Sequence, residues 1–167
     1  MTAKTRNKPY KQKIQNPNPL SPYMTQVELT GLKRIGQLAL LKLMQGQGSQ
    51  QDWCDLVCRL IVGRQVVMTH FNEVEVAGYL HHSIARLVQI YNFEASKPPG
   101  TWELPMIDAG RIKEALENID DILPQITRRE YGVIYNPISR IMINTLVNED
   151  CSWDEYLKRQ TVNNPDT

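Results

Sequence analysis

Residues 25–48 read TQVELTGLKRIGQLALLKLMQGQG, and the fold follows from how that stretch begins, repeats and stops. Thr25 stands three residues before Glu28, the spacing of a capping box. In that motif a hydroxyl and a carboxylate each satisfy a backbone N–H that a helix start leaves without a partner. Leu29, Leu32, Ile35, Ala39 and Leu43 then recur at helical spacing, and Gly46-Gln47-Gly48 ends the run. A helix with such an apolar stripe must bury it against neighbours, so the flanking sequence should supply them.

It does so with the same grammar. Ser49 with Asp52 opens a second helix whose apolar face is Trp53, Leu56, Val57, Leu60, Ile61 and Val67. Asn72 with Glu75 marks a third start, followed by Val76, Leu80, Ile84, Leu87 and Tyr91. Ser96-Lys97-Pro98-Pro99-Gly100 and the residues to Pro105 exclude helix, and Trp102 and Leu104 are expected to pin this linker to the core. Asp108 is expected to cap a fourth helix carrying Ile112, Leu116, Ile119 and Leu123, ended near Pro124. Thr127 with Glu130 is a further capping box. The YGVIY stretch at 131–135 has competing β-propensity, but the helical period resumes at Ile138, Ile141, Met142 and Leu146. Helix is therefore expected there, with Pro137 at a first helical position. Ser152 with Glu155 predicts a short terminal helix.

Start signals that each precede an apolar run of helical period agree across levels. The expected fold is all-α, a compact bundle of five to seven helices over residues 23–160. It follows a flexible basic Pro-rich tail at 1–22 and precedes a frayed C-terminus at 161–167.

The tail separates from the body by charge. Lys4, Arg6, Lys8, Lys11 and Lys13 stand in the first 19 residues with no acid among them. The rest of the chain carries 14 basic and 18 acidic side chains. With Pro9, Pro17, Pro19 and Pro22 and few large aliphatic residues, the segment cannot bury enough apolar surface to offset its ordering entropy. Its cations, with Tyr10 among them, could neutralise phosphates and stack on a base, or dock on an acidic protein surface. A solvated terminus is the plainer reading. Arg128-Arg129 and Lys158-Arg159 are further basic pairs.

Other constellations point less far. No apolar run approaches the ~20 residues that cross a bilayer, so no membrane partner is expected. The basic N-terminus lacks a signal peptide's apolar stretch, and three cysteines cannot all pair, so reduced thiols in a cytoplasmic setting are expected. Cys54 and Cys58 lie four apart on one helix face. With His81 or His82 they could form part of a metal site, but free cysteine more often packs as a small hydrophobe. No metal and no cofactor is expected. Phosphate-loop, nucleophile-elbow and dinucleotide motifs are absent, so no catalytic residues are assigned and the chain is not read as an enzyme. Residues 76–90 carry the small and apolar spacing of a helix-turn-helix, yet His81 occupies the turn position that favours glycine.

The Lys8-Pro9-Tyr10-Lys11 motif, the Pro-rich hinge and the compact helical body resemble small accessory proteins encoded by bacteriophages and plasmids. That resemblance implies a setting and carries over no functional residue. Such products often act by binding, and some block host defence enzymes. The expected function is therefore a non-enzymatic binding protein that occupies a macromolecular surface, with a host or phage protein as partner, as an anti-CRISPR inhibitor would. Its candidate contacts are Lys4, Arg6, Lys8, Tyr10, Lys11, Lys13, Arg128 and Arg129, with Trp102 and Trp153 as exposed aromatic anchors. The alternative is a nucleic-acid-binding regulator using the tail and residues 76–90, and a small metal protein or enzyme built on Cys54, Cys58 and His81 comes third.

Overall fold

The Thr25 hydroxyl accepts from the Glu28 N–H at 3.3 Å, and Glu28 Oε2 accepts from the Thr25 N–H at 2.6 Å. The expected capping box therefore starts α1 (Gln26–Met44). Gly46, at φ 66°, supplies the left-handed residue that ends it. Ser49 and Asp52 form the second box and start α2 (Gln50–Val66). In the computed structural model, which describes residues 21–148 and their side chains through 141, three further helices follow. They are α3 (Val74–Glu94), α4 (Met106–Ile122) and α5 (Arg128–Asn148). A π turn at Val67–Phe71 joins α2 to α3, and a 3-10 turn at Leu123–Gln125 leads towards α5. The fold is all-α.

α2 is the central helix and packs against all four others. Its Trp53, Leu56, Val57 and Leu60 are almost fully buried, and Leu80, Ile84, Leu87, Ile112 and Ile119 close over them from α3 and α4. The Trp53 indole donates to the Leu87 carbonyl at 3.0 Å, which satisfies its one polar atom inside the core. Thr127 and Glu130 make the third box at the start of α5. The 95–105 linker is held as expected. Gly48 and Trp102 exchange backbone hydrogen bonds at 3.0 Å, and the Leu104 N–H donates to the Leu43 carbonyl at 2.9 Å. A Cβ at Gly48 would collide with the Leu43 side chain, so this close approach needs glycine.

Four expectations are corrected. Asn72 does not start α3: at φ 50° it lets the chain leave the π turn, and Glu73 precedes the helix without a side-chain cap bond. Asn is among the residues that tolerate this conformation. Asp108 does not cap α4, which begins after Pro105; it is the third helical residue, and Arg86 takes its carboxylate. Pro137 lies inside a continuous α5 that includes 131–135. The carbonyl it deprives of a donor belongs to exposed Val133, where water can substitute. Ile35 is 51% exposed, because Gly36, Ala39, Leu40 and Leu43 fill the core-facing side of α1. The predicted helix at Ser152 lies outside the described residues, as do residues 1–20. Among the described residues, no helix is long and apolar enough to cross a membrane.

Candidate functional site: the α3–α4 seam

α3 and α4 lie antiparallel, with Tyr79 beside Arg111 and Glu114, Arg86 beside Asp108, and Phe93 near Pro105. Tyr79, His82, Arg86, Gln89 and Phe93 share one edge of α3 through their three- and four-residue spacing. Where that edge meets α4, the surface sinks into two cavities of about 210 and about 440 Å³. Both are bounded by Arg86, so they lie side by side along the seam.

The middle of the groove is rigid. Arg86 Nε and Nη2 donate to Asp108 Oδ1 and Oδ2 at 2.9 and 3.1 Å, a two-pronged bond to a carboxylate only 3% exposed. At the narrow end, the Tyr79 hydroxyl donates towards Glu114 Oε2 at 2.9 Å and the Arg111 carbonyl at 3.2 Å. Burial, with the Glu114 carboxylate beside it, pushes the Tyr79 phenol up to about 12, so it stays a neutral clip between the helices. At the wide end, Glu94 accepts from Lys97 Nζ at 2.7 Å and from the Glu103 N–H at 3.1 Å, which fixes the linker against α3.

The wide end mixes apolar Ile90, Phe93 and Pro105 with polar Arg86, Gln89, Glu94 and Glu103. Phe93, 77% exposed, lines this cavity with Ile90 and Pro105, and Met106 and Ile107, 70% and 73% exposed, follow Pro105 in the chain. A concave surface with an exposed large apolar side chain on its wall suits a docked side chain or helix. Two of the seam's polar groups are engaged within the fold. The Ser83 hydroxyl donates to the Tyr79 carbonyl at 3.0 Å within its own helix, and Arg86 is committed to Asp108. Burial, then the charges of Arg64 and His82, lower the His81 pKa, which favours its neutral form.

Of the residues expected from sequence to make contacts, the described ones, Trp102, Arg128 and Arg129, do not line the seam. Lys4, Arg6, Lys8, Tyr10, Lys11, Lys13 and Trp153 lie outside the described residues. Trp102 is not an exposed anchor: it is 4% exposed, its indole donates to the Lys97 carbonyl, and it packs edge-on against Tyr91. Arg128 is committed to Glu28 and to the Ser21 carbonyl, while Arg129 is exposed. α3 runs through His81 without a turn, so the apolar spacing of residues 76–90 is that of one uninterrupted helix and not of a helix-turn-helix. Cys54 is buried and Cys58 half-buried, and burial pushes both thiols up to about 12. Among the described residues, no three His, Cys, Asp or Glu side chains gather as a metal site would require.

Sequence reading missed the seam because its residues fall outside the apolar period. Phe93 follows Leu87 and Tyr91 out of phase, and Met106 and Ile107 precede the core repeat of α4. Large apolar residues off the buried stripe were the available signal. No family model matches the chain, and neither the curated proteins nor the solved structures compared with it contain a match.

Proposed function

We propose that this chain is a non-enzymatic binding protein that docks a protein partner in the α3–α4 groove. One observation carries the reading: Phe93, 77% exposed, forms part of the wall of the wide cavity, where a side chain of this kind would bury much area on binding. The resemblance of the Lys8-Pro9-Tyr10-Lys11 tail supports a phage or mobile-element accessory protein in a cytoplasmic setting. A host or phage protein is then the partner, and inhibition of a host defence enzyme is one form the activity takes. The basic tail adds contacts and speeds encounter with an acidic surface.

The test is capture from bacterial host lysate with the full chain, Phe93→Asp and a deletion of residues 1–19. The wild type should retain a defined partner, Phe93→Asp should weaken retention at least about tenfold, and the deletion should lower the association rate most at low salt. Equal capture by Phe93→Asp would remove the groove from the function. Binding of purified protein to DNA or RNA, with a steep salt dependence lost in the deletion, would favour the nucleic-acid alternative.

A further inference from the structure

Residues 26–35 of α1 have little of their own to hold them to the bundle. No residue from Thr25 to Ile35 is buried: Leu29 and Leu32 are half-buried against the core, while Val27 and Ile35 are 82% and 51% exposed. Burial begins at Gly36 and continues through Ala39, Leu40 and Leu43. Helices in proteins draw most of their stability from such packing, so the stretch before Gly36 is weak alone. Gly31 weakens it further, because a helical glycine gives up backbone entropy and nothing lies within 4 Å of the Cβ it lacks. Lys33 reaches Asp120 only at 4.0 Å with its side chain half exposed, a pair that contributes little.

What holds the stretch lies at its far end. Met24, 5% exposed, packs into the core. Tyr23 pairs with Thr127 in an isolated antiparallel bridge, and the Arg128 N–H donates to the Pro22 carbonyl at 2.8 Å. The Arg128 guanidinium takes the Ser21 carbonyl and both carboxylate oxygens of Glu28. A helix end ordinarily frays from its tip inwards. Here the tip is fastened and the weak turns lie between it and Gly36, so they are released together when the fastening gives way.

We infer that residues 21–35 form a lid, latched by Arg128 on Glu28, that opens as one unit while the rest of the bundle stays folded. Opening frees Arg128 beside exposed Arg129 and adds Lys33 and Arg34 to the basic segment that precedes the lid. The open form therefore presents more positive charge. An acidic protein surface competes with Glu28 for Arg128 and shifts the population towards it. Neither step involves the α3–α4 seam.

The experiment is amide hydrogen exchange of the full chain, read residue by residue by NMR at neutral pH, where exchange reports the opening equilibrium. The amides of residues 29–35 should share one rate, at least about a hundredfold faster than those in the core of α2 and α3. A gradient of rates from Leu29 to Ile35 means ordinary fraying and overturns the lid, as does a single rate for lid and core. Gly63→Ala, which crowds Ile119 between α2 and α4, should speed the core amides and leave residues 29–35 unchanged, because that contact survives in the open form. Equal acceleration of both would mean that the lid leaves only in global unfolding. Arg128→Met should speed residues 29–35 about fivefold, the upper end for a partly exposed pair, and an unchanged rate removes Arg128 as the latch. If that variant loses helical circular dichroism, Glu28→Gln tests the same pair. Poly-aspartate at low salt should raise the rate of residues 29–35 several-fold, and no response removes the acidic trigger.

Discussion

Arg128 at the start of α5 grips Glu28 in the first turn of α1: Nε lies 2.9 Å from Oε1 and Nη2 lies 3.0 Å from Oε2. The same carboxylate closes the α1 capping box, so one acid serves both helix initiation and the closure of the chain on itself. The Arg128 guanidinium, then the Thr25 N–H and hydroxyl, hold the Glu28 carboxyl down at about 2. A depressed pKa contributes stability above the ordinary value of 4.5 and loses it as pH falls towards 2. Both side chains are partly exposed, so screening limits the effect. Glu28→Gln should cost about 1 kcal/mol at pH 7. Urea unfolding should show the difference from wild type shrinking between pH 4.5 and 2. A difference constant across that window would mean that the charge contributes nothing.

Gly63 is where α2 lets α4 approach. A Cβ there would collide with Cδ1 and Cγ1 of Ile119, which is 1% exposed and has no room to turn. Gly63→Ala should therefore cost about 1–3 kcal/mol through overpacking. Gly110 provides the contrast, a helical glycine of α4 with nothing within 4 Å of an added Cβ. Gly110→Ala should gain about 0.5–1 kcal/mol from backbone entropy alone. Opposite signs in denaturant midpoints are the expected result, and two losses would contradict the packing argument.

The helices with local start signals were legible in sequence, and the seam was not, for one physical reason. A capping box involves residues three apart, so Thr25–Glu28, Ser49–Asp52 and Thr127–Glu130 are complete within a few residues. Asn72 and Asp108 carry the same residue types, but distant context reassigns them. A π turn needs Asn72 for its left-handed exit, and Arg86, 22 residues away, claims Asp108. The candidate site follows that second pattern. Phe93 meets Pro105 and Arg86 meets Asp108 only after two helices dock, and α1 shows at Ile35 that an in-phase apolar residue need not face the core.

Arg59 and Asp120 form the most enclosed ion pair between α2 and α4, with side chains 9% and 16% exposed. Arg59 also lies against Gly36 of α1, so the pair sits where three helices meet. Removing one partner leaves the other charge desolvated, and Asp120→Ala should cost about 3 kcal/mol. Replacing both by apolar residues, as Arg59→Met with Asp120→Leu, should recover most of that loss. A double-mutant cycle measured by denaturant unfolding gives the coupling directly, and additive losses would show that the pair is not acting as a unit.

Cys54 and Cys58 should be inert although they share a helix face. With burial pushing each thiol up to about 12, only about one molecule in 10⁵ carries a given thiolate at pH 7. The thiolate is both the nucleophile and the metal ligand, so native packing withholds both chemistries. In a Cys151→Ser background, which leaves these two thiols alone, labelling by a disulfide reagent should be at least about a thousandfold slower than for a cysteine peptide. It should accelerate with denaturant in step with unfolding, because opening of the bundle limits access. Zinc added to the same protein should leave its melting temperature unchanged. Rapid labelling of the folded protein, or a zinc-dependent rise in melting temperature, would reinstate the metal-protein reading of this helix face.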